Sequence, residues 1–307
     1  MKNNKITLLS FGTKNLIKSA SRLRKQAKDF KIYDNVKIFN EDDILSDDKK
    51  ILQIKNLSKN SKGYGFWFWK PFLILKHIKE LNEGDILHYM DLGCHLNPRG
   101  IKRFKQYIDI VNRASKGILA FQYYSSNSDP HLKINYPIRK ESMYTKSDLL
   151  NFFSVLENKK ITDTEQFWAG SFFIKKNTFT INFLKEWLDV FRLRIELIDD
   201  TPSKIKNFNE FIENRYDQSV FSIMCKKNQI ENISAYECDW AYQKNLRTWL
   251  HLKDKPIIAK RDLQYGLFLR FIDRQKKTLK KVKILSINKM ERWLSGLKRT
   301  LGKCVYC

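Results

Sequence analysis

The sequence predicts an α/β domain built on a mostly parallel central sheet. Two observations carry this expectation: the chain opens in strand, helix, strand order, and short apolar runs then keep alternating with segments of helical spacing. Length sets the organisation. A chain of 307 residues can bury one substantial core, so one domain over 1–262 and a short basic tail over 263–307 are expected.

Lys5 to Phe11 is a short apolar run closed by Gly12 and reads as a buried strand. Asn15 to Phe30 follows with helical spacing at Leu16, Ala20, Leu23 and Ala27, and Val36 to Phe39 is a second strand. Ser10 to Thr13 therefore sit at the carboxyl end of a parallel strand, where open sheets place their ligands. A Lys-, Ser- and Gly-rich loop, Lys55 to Gly65, leads to a helix over Phe72 to Leu81 with Pro71 in its first turn. Asp85 to Met90 is the next strand, and it delivers Asp91 to the loop beyond. Pro98 opens a helix carrying Ile101, Phe104, Ile108 and Val111, and Ile118 to Tyr123 resumes the strands. Tyr124 to Lys140 is a polar loop. Thr145-x-x-Asp148 reads as a capping box ahead of a helix over Leu149 to Leu156. Gly170 to Ile174 is a strand, and helices fit Thr180 to Phe191 and Asp217 to Cys225.

Composition narrows the classes. Lys and Arg number 58 against 33 acidic residues, a formal charge of +25 that attracts nucleic acid, anionic lipid or phosphorylated substrates, although the wealth of Lys, Asn and Ile also reads as a low-GC coding bias. No helix-turn-helix, RRM or zinc-finger pattern appears, so no specific nucleic acid is expected. The five cysteines are odd in number, and Cys304 and Cys307 lack the second pair that a structural zinc site requires. No apolar run is long enough to span a bilayer.

An Asp where a sheet strand meets a loop, as Asp91 is, can hold a hard divalent cation through oxygen, although a turn cap is its commonest work. Lys70, on a helix-leading loop, suits a diphosphate, with solvated surface as the ordinary alternative. Tyr64, Trp67 and Trp69 could stack on a base or a sugar face or simply pack in the core. Gly170 could admit a backbone close to a ligand or relieve a crowded strand. Asp217 could cap the helix Gln218 to Cys225. His95 and His251 read as core or surface histidines rather than metal ligands.

The blocks Gly63-Tyr-Gly-Phe-Trp-Phe-Trp-Lys-Pro71, Gly84-Asp85-Ile-Leu-His-Tyr-Met-Asp-Leu-Gly-Cys94, Gln166-Phe-Trp-Ala-Gly170 and Tyr216-Asp-Gln-Ser219 occur in that order. Together, over residues 4–262, they resemble a bacterial glycosyltransferase family of capsule and lipopolysaccharide clusters. The resemblance implies a GT-A fold, the Rossmann-like nucleotide-diphospho-sugar transferase fold. It implies a nucleotide-sugar donor against Ser10, Phe11 and Gly12, with Lys70, Trp69 and Gly170 completing the donor site. It also implies a divalent metal, Mn²⁺ or Mg²⁺, on Asp91, and a glycan or lipid-linked oligosaccharide acceptor. Asp-Leu-Gly stands here where the usual motif is Asp-x-Asp. A remoter likeness to galactosyltransferases of the glycogenin type matches Asp217 and Gln218 to an Asp-Gln pair that contacts the transferred sugar, and implies retention of anomeric configuration. A basic nucleic-acid- or glycan-binding protein without catalysis is the alternative.

Arg270 to Lys303 holds twelve basic residues and two acidic ones, the charge pattern of a segment lying on an anionic membrane surface. Arg292 to Tyr306 resembles the translated reverse strand of a bacterial tRNA gene. Membrane contact is therefore placed on Arg274 to Lys283, and the expected location is cytoplasmic, peripheral on the inner membrane's cytoplasmic face.

Overall fold

Successive side chains of a strand point to opposite faces of its sheet, and the first strand shows the consequence directly: Leu8 and Leu9, both fully buried, enter two different apolar clusters. The computed structural model describes residues 4–44, 62–124 and 132–260. The expected tail 263–307, with Arg274 to Lys283 and Cys304 and Cys307, lies outside the described residues, as do residues 55–61 of the expected loop.

The strands in chain order are β1 (Ile6–Phe11), β2 (Asn35–Phe39), β3 (Ile86–Met90), β4 (Cys94–Leu96), β5 (Ile118–Gln122), β6 (Ile134–Asn135), β7 (Phe167–Lys175), β8 (Glu231–Ser234), β9 (Ala241–Gln243), β10 (Leu246–Thr248) and β11 (Ile257–Ala259). Six of them form the central sheet in the order β2-β1-β3-β7-β5-β8. β1 pairs in parallel with β2 and β3, and β5 with β8, whereas β7 is antiparallel to both of its neighbours. The fold is thus mixed α/β with a mostly parallel central sheet, as expected.

Five longer helices cover the sheet: α1 (Ile17–Phe30), α2 (Trp69–Glu80), α3 (Ile101–Arg113), α4 (Thr178–Leu193) and α5 (Asp217–Lys227). α1 and α3 pack with Leu8, Ile86, Met90, Leu119, Phe121 and Phe173 on one face. α2, α4 and α5 pack with Leu9, Leu87, Tyr89, Ala120, Phe172 and Ile174 on the other. Inside this sheet His88 is kept neutral: burial pushes its imidazole down to about 3. Its two ring nitrogens pair with Tyr33 Oη at 2.7 Å and Ser171 Oγ at 2.8 Å.

Where the structure departs from expectation, tertiary partners are the cause. The Thr145 to Asp148 capping box does not form. The Thr145 hydroxyl donates to buried Glu141 at 2.6 Å, and Asp148 accepts from the backbone N–H groups of Lys204 and Ile205, leaving a short helix over Ser147–Phe152 instead of one reaching Leu156. Asn177, not foreseen, makes a true capping box with Thr180 at the start of α4. β7 begins at Phe167, before Gly170, and β8 to β11 were not legible.

The last described strand is fastened by charge. β11 pairs antiparallel with β4. Glu237 accepts from Arg103 Nε and Nη2, at 2.7 and 2.6 Å, from the Tyr107 hydroxyl at 2.7 Å and from the Lys255 ammonium at 2.9 Å, so α3 and the approach to β11 share one carboxylate. Gly100 completes the junction. A Cβ there would lie 2.2 Å from the backbone N of Pro256 and 2.4 Å from the carbonyl C of Lys255. Because backbone must move to admit it, Gly100→Ala is expected to destabilise the protein by about 1–3 kcal/mol, read as a lower urea midpoint at unchanged slope.

Candidate active site at the carboxyl ends of the strands

A parallel strand carries its last residue to the carboxyl edge of the sheet, and β1 and β3 bring Gly12 and Asp91 there. β7 runs the other way, so its first half, Phe167 to Gly170, lies at the same edge; the Asp91 N–H donates to Gly170 O at 2.8 Å. The start of α5 supplies Asp217.

Lys70 joins these parts. Its side chain is buried, and its ammonium contacts Asp217 Oδ2 at 2.5 Å, Ala169 O at 3.0 Å and Asp91 Oδ1 at 3.5 Å. An ammonium has three protons, and three acceptors take them. The expected diphosphate contact therefore gives way to a structural one, in which Lys70 holds two carboxylates and β7 in fixed relation. Its neighbours raise the Lys70 pKa against the opposing effect of burial. Burial raises the Asp217 carboxyl to about 6, with Asp91's charge adding to the rise and Lys70 opposing it. Asp217 is the first residue of α5 rather than its cap, which is Tyr216.

Asp91 has a different setting. Its Oδ1 accepts the buried Tyr89 hydroxyl at 2.6 Å, yet the side chain is 38% exposed, so the carboxylate reaches the surface. Among the described residues no group of three His, Cys, Asp or Glu side chains could hold a metal. Asp91 fits a hard cation as a single protein ligand, with substrate oxygens and water for the rest of the shell. Asp217 does not: its side chain is buried and tightly paired with the Lys70 ammonium at 2.5 Å, whereas Asp91 meets that ammonium only at 3.5 Å and reaches the surface. His251 is drawn to structure, its Nε2 3.0 Å from Asp239 O.

The remaining expected donor residues divide. Ser10 is buried, its hydroxyl donating to Met90 O at 2.6 Å, and Phe11 is buried beside it, so Gly12 alone of the three is half exposed. Trp69 is core rather than a stacking platform: its ring lies on Phe11 at 4.2 Å and its indole N–H donates to Gly63 O at 3.0 Å. Gly170 makes room for a neighbour, since a Cβ there would meet the Trp168 indole at 2.3 Å, and that ring occupies the face expected to admit a sugar. Gln218 stands at the site with a fixed amide. Gln166 Nε2 donates to Glu141 Oε1 and Thr145 Oγ1, at 3.0 and 2.9 Å, so its Oε1 is left to accept Gln218 Nε2 at 2.8 Å. Buried Glu141 is itself held by Lys226 at 2.7 Å and Ser222 at 2.6 Å.

Two strained segments flank the Lys70–Asp217 pair. Gly63, Tyr64, Gly65, Phe66 and Trp67 have φ of 60°, 54°, 84°, 53° and 65°, a full turn of left-handed backbone. Three of these carry side chains, each costing about 1–2 kcal/mol in that conformation. Tyr216, directly before Asp217, has φ 50° and ψ −120°. The segments brace one another: the Tyr216 ring stacks on Phe66 at 5.6 Å and Trp67 at 5.3 Å, and its hydroxyl donates to Asp200 at 2.7 Å and contacts Lys62. Such strain persists where a site over-determines its backbone. The Gly63-x-Gly65 pair was the one sequence signal for it, and Gly63 is required, since a Cβ there would lie 2.4 Å from the Trp67 ring.

No family model and no curated protein matches the sequence. Among solved structures the chain is similar to a glycosyltransferase involved in glycosylation of the major capsid of PBCV-1, at 13% identity and TM-score 0.44 over 83% of this chain and 91% of that one. It is also similar to mouse xyloside xylosyltransferase 1 in its apo form, at 10% identity and TM-score 0.39 over 77% of this chain and 86% of that one.

Removing one partner of a buried ion pair leaves the other charge uncompensated. Lys70→Met is therefore expected to lose about 3–5 kcal/mol of stability in denaturant unfolding, and adding Asp217→Asn to recover part of that loss.

Proposed function

We propose that this chain is a glycosyltransferase that moves a sugar from a nucleotide-sugar donor to a glycan or lipid-linked acceptor. The observation that carries the reading is the buried Lys70 ammonium holding Asp217 and Asp91 together at the carboxyl edge of the sheet. The order of motifs around these residues, and the strain stored on both sides of them, support it.

In this reading the nucleotide lies along the β1 edge at Gly12, and Asp91 faces the diphosphate. With all three groups ionised, Lys70, Asp91 and Asp217 sum to one negative charge, which repels a diphosphate unless a cation intervenes. A divalent ion, Mn²⁺ or Mg²⁺, held by Asp91 would neutralise the departing diphosphate. Asp217 and Gln218 orient the sugar: Asp217 presents an ionised carboxylate near the anomeric carbon, where positive charge develops, and Gln218 presents an amide fixed by Gln166. The acceptor hydroxyl oxygen bonds to the anomeric carbon on the face that the diphosphate leaves, as the bond to the diphosphate oxygen breaks; the electron pair leaves with the diphosphate, and the hydroxyl proton passes to the departing diphosphate oxygen. Retention of configuration, a role in capsule or lipopolysaccharide synthesis, and attachment of the tail to the inner membrane's cytoplasmic face belong to the same proposal. They are supported by the motif resemblance and the tail's charge.

Two measurements test it. Nucleotide release is followed from UDP-, GDP- and CMP-sugars with Mn²⁺, Mg²⁺ or EDTA; cation-dependent release from one donor, abolished in Asp91→Ala, is expected. Neither release nor binding of any donor would sink the reading. The pH profile of the active donor should rise through about pH 6 as Asp217 loses its proton, in line with its raised pKa. That limb should vanish in Asp217→Asn.

A further inference from the structure

Two arginines lie beside the candidate site, and a buried carboxylate pairs with one of them. Arg139 is buried, lies over the Tyr123 ring at 4.2 Å and the Trp240 ring at 5.2 Å, and is paired with fully buried Asp239 at 3.1 Å. Arg215, two residues before Asp217, stacks on the Tyr144 ring at 3.6 Å. Its guanidinium makes no hydrogen bond among the described residues, its nearest carboxylate is exposed Glu213 at 3.7 Å, and its side chain is 20% exposed. Burial and then Arg139's charge push Arg215 below its ordinary pKa, as expected where positive charge stands unneutralised.

The Arg215 backbone is fixed: its amide N–H donates to Tyr144 O at 3.2 Å and to Ser219 Oγ at 3.1 Å, and its carbonyl accepts the Gln218 backbone N–H at 3.0 Å, while the Tyr144 ring orients the guanidinium. Gln166 ties it to the rest of the site, since the Gln166 N–H donates to Arg139 O at 2.8 Å and its side chain to Tyr144 O at 3.2 Å. Its place in the sheet matters. Gly12 and Asp91 directly follow β1 and β3, whereas Tyr123 follows β5, across β7 from them. The donor edge and the arginines are thus on opposite sides of Asp217.

We infer that Arg215, backed by Arg139, is an acceptor subsite for an anionic oxygen-rich group, a phosphate or a carboxylate carried by the molecule that receives the sugar. A stacked, pre-oriented guanidinium with open N–H groups matches such a group in two-pronged fashion. Bound there, the anionic group would lie on the side of Asp217 away from the Gly12 edge, with the acceptor hydroxyl reaching across to the anomeric carbon. The assignment to an acceptor rests on the transferase reading; the anion site itself does not.

Calorimetric titration of the full chain with inorganic phosphate, and in a second arm with glucuronate, tests the site without any nucleotide sugar. At least one anion is expected to bind, with affinity falling about tenfold or more in Arg215→Gln. Glu213→Gln, which removes the competing exposed carboxylate, is expected to tighten binding about threefold and does not depend on how Arg215→Gln folds. Tighter binding of phosphate assigns a phosphorylated acceptor, and tighter binding of glucuronate an acidic sugar. Binding of neither anion, equal affinity in folded Arg215→Gln, or no tightening in Glu213→Gln overturns the inference. Anion binding that meets these expectations in a protein that binds no nucleotide sugar would defeat the transferase reading alone.

Discussion

The site is organised around a buried ammonium. Taking Lys70 and Asp217 out of water costs several kcal/mol per ion, and only close geometry with every proton accepted offsets that. Lys70 meets the condition through Asp217, Asp91 and Ala169 O, which belong to α5, the loop after β3, and β7. A Lys on α2 therefore sets the spacing of three other elements. The same contacts leave Asp217 with a pKa near 6, because burial and the second carboxylate outweigh the attraction of the cation. One interaction thus fixes both where the carboxylates stand and how readily one of them takes a proton.

That geometry depends on backbone which would not hold itself. The left-handed turn from Gly63 to Trp67 aims α2 so that Lys70 points inward, and the strained Tyr216 turns Asp217 to meet it. Aromatic contacts offset the strain: Trp69 lies on Phe11, Tyr64 is beside Phe11 at 5.9 Å, and Tyr216 stacks against Phe66 and Trp67. The aromatic block of the sequence thereby serves the backbone first. Tyr64, Phe66 and Trp67, half exposed, are the members left with a face toward solvent.

A second polar layer lies behind the first. Glu141 is fully buried, yet Lys226, Ser222, Thr145 and Gln166 satisfy it, so the network is complete rather than a stored penalty. Its product is the orientation of a single amide. Gln166 can offer only its oxygen to Gln218, and Gln218 is held accordingly. The cavity of about 550 Å³ among Gln122, Ile161, Phe167, Cys225 and Ile230 belongs to none of this, and its Lys226 already serves Glu141.

Local periodicity by itself determined the order of the main strands and helices through Asp217 to Cys225 and the placing of Asp91 at a strand end. Each follows from residues within a turn or two of one another. Which way β7 runs, that Lys70 is buried, and that Thr145 and Asp148 leave a cap for distant partners were decided only in three dimensions. Lys70 and Asp217 are 147 residues apart, and no local pattern records such a pairing. Trp69 and Gly170 show the same limit, since the residues that fill the space beside them, Phe11 and Trp168, are chosen by how the chain folds back on itself. The sequence could name which residue types the site uses; burial, through desolvation and the pairing it demands, decided what each of them does.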